Sequence, residues 1–302
     1  MNTQGLPQSI PEYLEQLRRA LAGADPALVQ DALYDAEEYL RSELAEQPGR
    51  SEAEVIAAVA SSYGAPDEVA EIYRDTEVKV QTALRPPVPA PRSSLAGRFF
   101  GVAADPRTWS ALFYMLLSLA TGIFYFLWVV LGLSISGGLV IVLVGIPLLI
   151  LFLGSVRVLS LVEGRLVEVM LGERMPRRPL YAARGRSWTQ RIADMFTDAR
   201  TWSTLLYMLL MLPLGIVYFT VVVSLLSVAL PLVAAPLALL PGLNLNLWIS
   251  GIDVPRQAPF LLPLLSGVGV LLLFATLHLC RGIGRVHGAI AKQLLVKSAQ
   301  FA

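Results

Sequence analysis

Cysteine and histidine are nearly absent from this chain. Its 302 residues hold one cysteine, Cys280, and two histidines, His278 and His287. A single cysteine excludes an internal disulfide and a cysteine-cluster metal site. His278 and Cys280 stand two apart, so on a helix they face different sides. No acidic ligand lies near them, and they read as ordinary interfacial residues; neither a metal nor a cofactor is expected. Any Ser/His/Asp set, phosphate loop or carboxylate pair at a meaningful spacing is missing too. No catalytic residue is assigned, and the chain is read as non-enzymatic. Charge is scarce at 16%, against 55% hydrophobic residues and a mean hydropathy of +0.60. Those values belong to membrane proteins. No apolar run marks roughly the first hundred residues, so no secretory signal is expected and the first membrane helix itself directs insertion.

The scarce charge is unevenly spread. Residues 1–80 hold 16 acidic and 6 basic residues, a balance of −10, while residues 81–302 carry +11. The near-neutral total of +1 is the sum of two opposite halves.

The acidic part reads as a small helical domain, residues 1–80. Tyr13, Leu14, Leu17 and Leu21 recur at helical spacing. Asp25-Pro26 pairs an N-cap with proline at the first helical position. The helix after it turns Leu28, Val29, Leu33 and Leu40 inward, and Ser51-Glu52-Ala53-Glu54 is a capping-box pattern. Gly64 is a plausible C-cap before the restart at Ala65-Pro66-Asp67. A unit this small makes a thin core, so docking on another surface would help it. Tyr13-Leu14-x-x-Leu17, the acidic Asp35–Glu38 helix, Ser51-x-x-Glu54-Val55-Ile56 and Tyr63-Gly64-Ala65-Pro66-Asp67-Glu68-Val69-Ala70 together resemble the HAAS domain. That family of bacterial helical signalling modules is often associated with PadR-type regulators. The resemblance implies a cytosolic protein partner, with a PadR-type regulator as one candidate. Residues 81–97, with Pro86, Pro87, Pro89 and Pro91, read as a stiff linker.

Beyond the linker the chain carries one unit twice. Asp105–Phe126 reads DPRTWSALFYMLLSLATGIFYF and Asp198–Phe219 reads DARTWSTLLYMLLMLPLGIVYF, with 15 of 22 positions identical at an offset of 93. Apolar composition alone does not reproduce Asp, Arg, Thr, Trp, Ser and Tyr in one order, so this is a duplication. Arg157 and Val162-Glu163-Gly164 align with Arg281 and Val286-His287-Gly288 at an offset of 124, which places a 31-residue insert in the second copy. The insert bears Pro231, Pro236, Pro241, Asn244, Asn246 and Trp248, and suits a re-entrant hairpin or a membrane-surface cap. The copies are repeat 1 (98–176) and repeat 2 (187–302), joined by a basic loop (177–186).

Four membrane helices are expected, at about Ser110–Leu131, Leu139–Leu153, Ser203–Val228 and Phe260–Leu279. The first spans roughly 33 Å, enough to cross. A turn is expected at Ser134–Gly138; the short second helix is expected to continue as Ser155–Leu171, which reads as an interfacial helix with Arg157, Ser160, Gly164 and Glu168 on its polar stripe. The fold class is therefore an all-α integral membrane protein, four transmembrane helices in two parallel tandem repeats. Arginines crowd residues 154–202, and Arg281, Arg285, Lys292 and Lys297 mark the C-terminal end. The positive-inside rule then puts both termini and the central loop in the cytoplasm, and the resemblance to a bacterial module implies a bacterial inner membrane.

The repeated half also has a family likeness. Tyr114-Met115-Leu116-Leu117, Gly122-Ile123-x-Tyr125-Phe126, Gly145-Ile146-Pro147-Leu148-Leu149, Arg157, Glu163 and Leu171-Gly172 resemble the sensor transmembrane domain of bacterial sensor histidine kinases, over roughly residues 98–176 with a degenerate second copy. No kinase region accompanies it, so the resemblance implies signalling without phosphotransfer.

Candidate residues follow. Arg157, Glu163, Arg281 and His287 are candidate coupling or headgroup contacts at the membrane surface. Arg177, Arg178, Arg184 and Arg186 form a candidate docking face for the acidic domain. Tyr114, Tyr125, Tyr207 and Tyr218 are candidate lining for a cavity between the repeats. Asp105 and Asp198 read as helix N-caps, with Arg107 and Arg200 at headgroup depth. Gly284-x-x-x-Gly288 permits close helix approach, within the chain or in a homo-oligomer. The predicted helix cores hold no ionisable residue, which disfavours an ion-coupled transporter. Anionic lipid headgroups account for the basic loop, and direct nucleic-acid binding is not expected. The leading expectation is a membrane signalling adaptor. Its rivals are a lipid-binding or transport module and a self-assembling scaffold.

Overall fold

A computed structural model describes residues 7–84, 94–142, 144–178, 196–240, 248–249 and 251–296. Pro86, Pro87, Pro89, Pro91, Arg184 and Arg186 lie outside them.

The helical domain has four helices, α1 (Ile10–Ala20), α2 (Pro26–Glu46), α3 (Glu52–Ser62) and α4 (Pro66–Leu84). Their starts follow from local chemistry. Ser9 caps α1 and Asp25 caps α2, each accepting a backbone N–H, and Ser51 and Glu54 form a reciprocal capping box on α3. Tyr13, Leu14, Leu17, Leu21, Leu33, Leu40, Val55, Ile56 and Val59 make the core. Tyr13 spends its hydroxyl on the Gly64 carbonyl at 2.8 Å, tying α1 to the turn before α4.

A short helix, α5 (Leu95–Phe100), and a 3-10 turn (Gly101–Ala104) lead into the membrane module. That module has four long apolar helices: α6 (Pro106–Leu139), α7 (Gly145–Leu171), α8 (Ala199–Ala234) and, after one helical turn α9 (Val254–Gln257), α10 (Leu262–Leu295). Each is long and apolar enough to cross a membrane. Among the described residues the one strand pair is a two-residue hairpin, Trp248–Ile249 with Ile252–Asp253, inside the insert. The protein is thus an all-α membrane protein with an N-terminal helical domain.

The duplication is visible atom by atom. Asp105 caps α6 by accepting from Arg107 N at 3.0 Å, and Asp198 caps α8 by accepting from Arg200 N at 2.9 Å. Trp109 donates to the Ala103 carbonyl and Trp202 to the Phe196 carbonyl, both at 2.8 Å. The two repeats touch where α6 crosses α8. A Cβ on Gly122 would stand 2.5 Å from the Met211 carbonyl oxygen, and one on Gly215 2.4 Å from that of Ser118. These two glycines let the backbones approach, as small residues do between membrane helices.

Several boundaries differ from the expectation. Ser134–Gly138 is helical within α6 rather than a turn, and Ser155–Leu171 continues the second membrane helix as expected but packs into the bundle as the second half of α7 instead of lying at the interface. The fourth helix runs on to Leu295. In the second half of α7 and the last turns of α10, buried residues such as Glu163, Val167, His287 and Leu295 pack inside the bundle, so burial outweighs the local polar pattern.

Candidate functional site

Two polar assemblies stand out. One lies inside the bundle and one where the helical domain meets it.

Glu163 on α7 is 1% exposed and His287 on α10 is fully buried. Glu163 Oε1 accepts from the hydroxyls of Tyr114 at 2.7 Å and Tyr207 at 2.9 Å, and its Oε2 accepts from Tyr125 at 2.9 Å. His287 Nε2 lies 2.6 Å from the Tyr114 hydroxyl and 3.0 Å from that of Tyr207, and Nδ1 lies 3.2 Å from Tyr218. Six side chains from all four long helices therefore share one network. Each has its counterpart in the other repeat: Tyr114 with Tyr207, Tyr125 with Tyr218, and Glu163 with His287.

This corrects several expectations. Glu163 and His287 are not headgroup contacts; they are buried among tyrosines. The long helices do carry ionisable residues. The four tyrosine hydroxyls converge on Glu163 and His287 instead of lining open space. A charge at a helix surface reads as interfacial from sequence, but three hydroxyls satisfy Glu163 inside. The signal that points here is the pairing of these positions across the repeats.

Arg157 and Arg281 do not join this cluster. Arg157 lies 3.5 Å from Asp198 and 3.4 Å from the Thr201 hydroxyl, and Arg281 lies 3.2 Å from Asp105. Each arginine thus reaches the cap of the other repeat's first helix. A small cavity of about 110 Å³ lies beside Arg157, Asp198 and Thr201. His278 Nε2 is 3.0 Å from the Phe99 carbonyl, and Cys280 is buried with Met115, Tyr218 and Val222. Gly284 and Gly288 meet Ala111 and Glu173, so their close approach is made within the chain.

The second assembly joins α2 and α4 to the segment that follows α7. Asp31 Oδ2 lies 2.9 Å from the Arg174 guanidinium, and Oδ1 accepts the backbone N–H of Arg177 at 2.7 Å and of Arg178 at 2.8 Å. Arg174 also takes Glu77 at 2.9 Å, and Arg178 takes Asp35 at 2.8 Å. Gln30 donates to the Arg178 carbonyl at 2.6 Å and accepts from Arg200 at 2.8 Å. Lys292 on α10 pairs with Asp25. Beneath these groups Ala27 of α2 is fully buried in the same apolar cluster as Ala291 and Leu295. Arg200, expected at headgroup depth, is 7% exposed and committed to Gln30. Of the predicted docking face, Arg177 and Arg178 touch the helical domain; the sequence reading missed Arg174, which is the most connected of these residues.

Burial raises the Asp31 carboxyl above the ordinary aspartate range, with the amides of Arg178 and Arg177 and the Arg174 charge opposing it. Burial alone would lower Arg174, but Asp31, Glu77 and Glu168 outweigh it and hold the guanidinium above its usual value.

Residues 114–295, more than half of the chain and both repeats, match the family described as Putative sensor in a single span. The chain belongs to the Putative sensor family. Residues 12–72 match the HAAS family. No curated protein and no solved structure matches the chain. The buried network thus sits inside the Sensor domain, and the charged interface joins the HAAS domain to it. Together the two matches indicate a role in sensing and signalling, and the HAAS match is consistent with a protein partner.

Proposed function

We propose that the protein is a non-enzymatic membrane sensor whose Sensor domain holds or releases its HAAS domain according to a stimulus at the membrane. The released HAAS domain engages a cytosolic protein, for which a PadR-type regulator is one candidate. The observation that carries this reading is the docked interface centred on Asp31 and Arg174. Docking buries acidic residues of α2 and α4 against basic ones, so those acidic groups are occupied when docked and offered when free. A shift between the two states needs a stimulus with different affinity for each. The Glu163–His287 network is the natural element to bias, since a change in any of four helices disturbs it. The bilayer is taken to be a bacterial inner membrane with both termini on the cytoplasmic side, following the arginine distribution.

The test replaces Arg174 by Glu in the full chain, in parallel with a chain lacking residues 1–80. In-membrane crosslinking should recover a cytosolic partner more strongly with Arg174→Glu than with the native chain, and not at all without residues 1–80. Equal recovery from the native and Arg174→Glu chains would sink the docked-and-free reading. A second reading, a transport module, is favoured by the ionisable Glu163 and His287 within membrane-length helices. Proton or solute flux in proteoliposomes, lost in Glu163→Gln, would select it.

A further inference from the structure

The donors around Asp31 form a receptor for more than a carboxylate. Two successive backbone N–H groups, of Arg177 and Arg178, converge on Oδ1, and the Arg174 guanidinium takes Oδ2. Successive amides beside a guanidinium are a donor set suited to phosphate oxygens. Asp31 is 6% exposed, so the carboxylate is inserted into this set rather than resting on it. Alongside lies a cavity of about 370 Å³ whose walls include Asp35, Tyr73, Arg165, Arg174 and Arg178. It gives a larger anion room next to the donors.

The charge balance of the site depends on the HAAS domain. Docked, Asp31, Asp35 and Glu77 answer Arg174 and Arg178. Undocked, those three carboxylates leave together. Glu168 remains, shared among Arg165 at 2.6 Å, Arg177 at 3.2 Å and Arg174 at 3.4 Å. One carboxylate among four guanidiniums leaves a strongly cationic pocket, on a segment that directly follows a membrane-length helix.

We infer that this pocket is a phosphate-binding site in which Asp31 is a built-in competitor, and that a terminal phosphate group displaces Asp31 and frees the HAAS domain. The inference rests on the docked-and-free reading above and names its ligand class. The phosphate is carried by a lipid headgroup or is free in solution, and the experiment separates the two.

Spin labels at Ala57→Cys on α3 and Val169→Cys on α7, both exposed positions, report the distance between HAAS domain and bundle in the full chain, with Cys280→Ala to remove the native thiol. The protein is placed in phosphatidylcholine nanodiscs and given inorganic phosphate, or placed in nanodiscs in which phosphatidic acid replaces part of the phosphatidylcholine. Sodium chloride at matched ionic strength is the control. A longer distance with phosphatidic acid alone assigns the lipid source, and one with inorganic phosphate assigns the free source. Removing the competitor should tighten binding. Asp31→Asn should therefore bind the effective probe at about tenfold lower concentration, because a larger fraction of molecules is binding-competent. Arg174→Gln added to Asp31→Asn should lose that binding. Release by chloride equal to that by either phosphate probe would overturn the inference, as would absence of phosphate binding in both the native and Asp31→Asn chains. If Arg174→Glu lengthens the distance while neither probe does, the ligand fails and the autoinhibitory contact stands. If Arg174→Glu leaves the distance unchanged, the docked-and-free reading itself fails.

Discussion

Replacing Glu163 by Ala tests whether the buried network holds the four helices together. The carboxyl accepts three hydroxyls, from Tyr114, Tyr125 and Tyr207, at 2.7–2.9 Å. Alanine removes both acceptor oxygens, and with them all three bonds, at a site that is 1% exposed, where water does not replace them. Side-chain hydrogen bonds inside membrane proteins average about 0.6 kcal/mol, and those in soluble proteins about 0.5 to 1.5 kcal/mol. Three of them give a loss of about 1.5–4.5 kcal/mol. Tyr125→Phe removes one bond and should cost about a third of that. Glu163→Gln keeps one carbonyl acceptor and should fall between. The assay is reversible unfolding of purified protein in mixed micelles, with a double-mutant cycle on Tyr125→Phe and Glu163→Gln to isolate their coupling. A Glu163→Ala cost below about 0.5 kcal/mol, or additive effects in the cycle, would refute the claim that the network ties the repeats.

Other expectations are simpler. Gly122→Ala should destabilise by about 1–3 kcal/mol, because its Cβ would meet the Met211 carbonyl, whereas Gly137→Ala meets open space and should be neutral or stabilising; the same unfolding assay decides. Arg174→Glu leaves Asp31 and Glu77 buried against a like charge and should weaken docking by at least about 3 kcal/mol, read as a longer distance between labels on α3 and α7. Asp31 predicts the sign of a pH effect. Burial holds its carboxyl above the ordinary range in the docked state, so between the ordinary and the raised value docking is coupled to proton uptake. That contribution is complete below the ordinary aspartate value and is lost as pH rises through the raised one. Arg174 stays charged throughout, and Asp35, Glu77 and the Arg177 and Arg178 amides complete the surroundings. Acidification from neutral toward that range should therefore leave the docked fraction unchanged or raise it in the label-distance measurement. Release of the HAAS domain on mild acidification, abolished by Asp31→Asn, would refute the assignment.

Much of the architecture was legible because it is written in local chemistry. Ser51-x-x-Glu54, Asp25-Pro26 and the two Asp-x-Arg-Thr-Trp starts are caps that need only neighbouring residues, and each forms as its spacing predicts. The opposite charges of the two halves also pointed toward the contact between Asp31, Asp35 and the arginines. The continuation of the second membrane helix through Ser155–Leu171 was legible, but its place inside the bundle was not. Arg157, Glu163 and Glu168 make its second half look surface-bound, and only tertiary partners, namely the tyrosines of α6 and α8, make Glu163 an interior residue. Arg174 was overlooked for a related reason: its importance comes from Asp31 and Glu77, 143 and 97 residues away. The repeat offset held the missing information, since every member of the buried network falls on a matched pair.

The exchanged contacts carry a historical consequence. Arg157 meets Asp198 while Arg281 meets Asp105, and Gly122 faces Met211 while Gly215 faces Ser118. Such reciprocity is the signature of an isologous interface between identical subunits. A pair of unfused copies would have to present the same residue twice at the centre, two carboxylates or two imidazoles facing the same four phenols. Joining the copies in one polypeptide released that constraint. Glu163 and His287 now occupy equivalent places with different chemistry, an acid on one side and an imidazole on the other, which no symmetric dimer of either half can assemble.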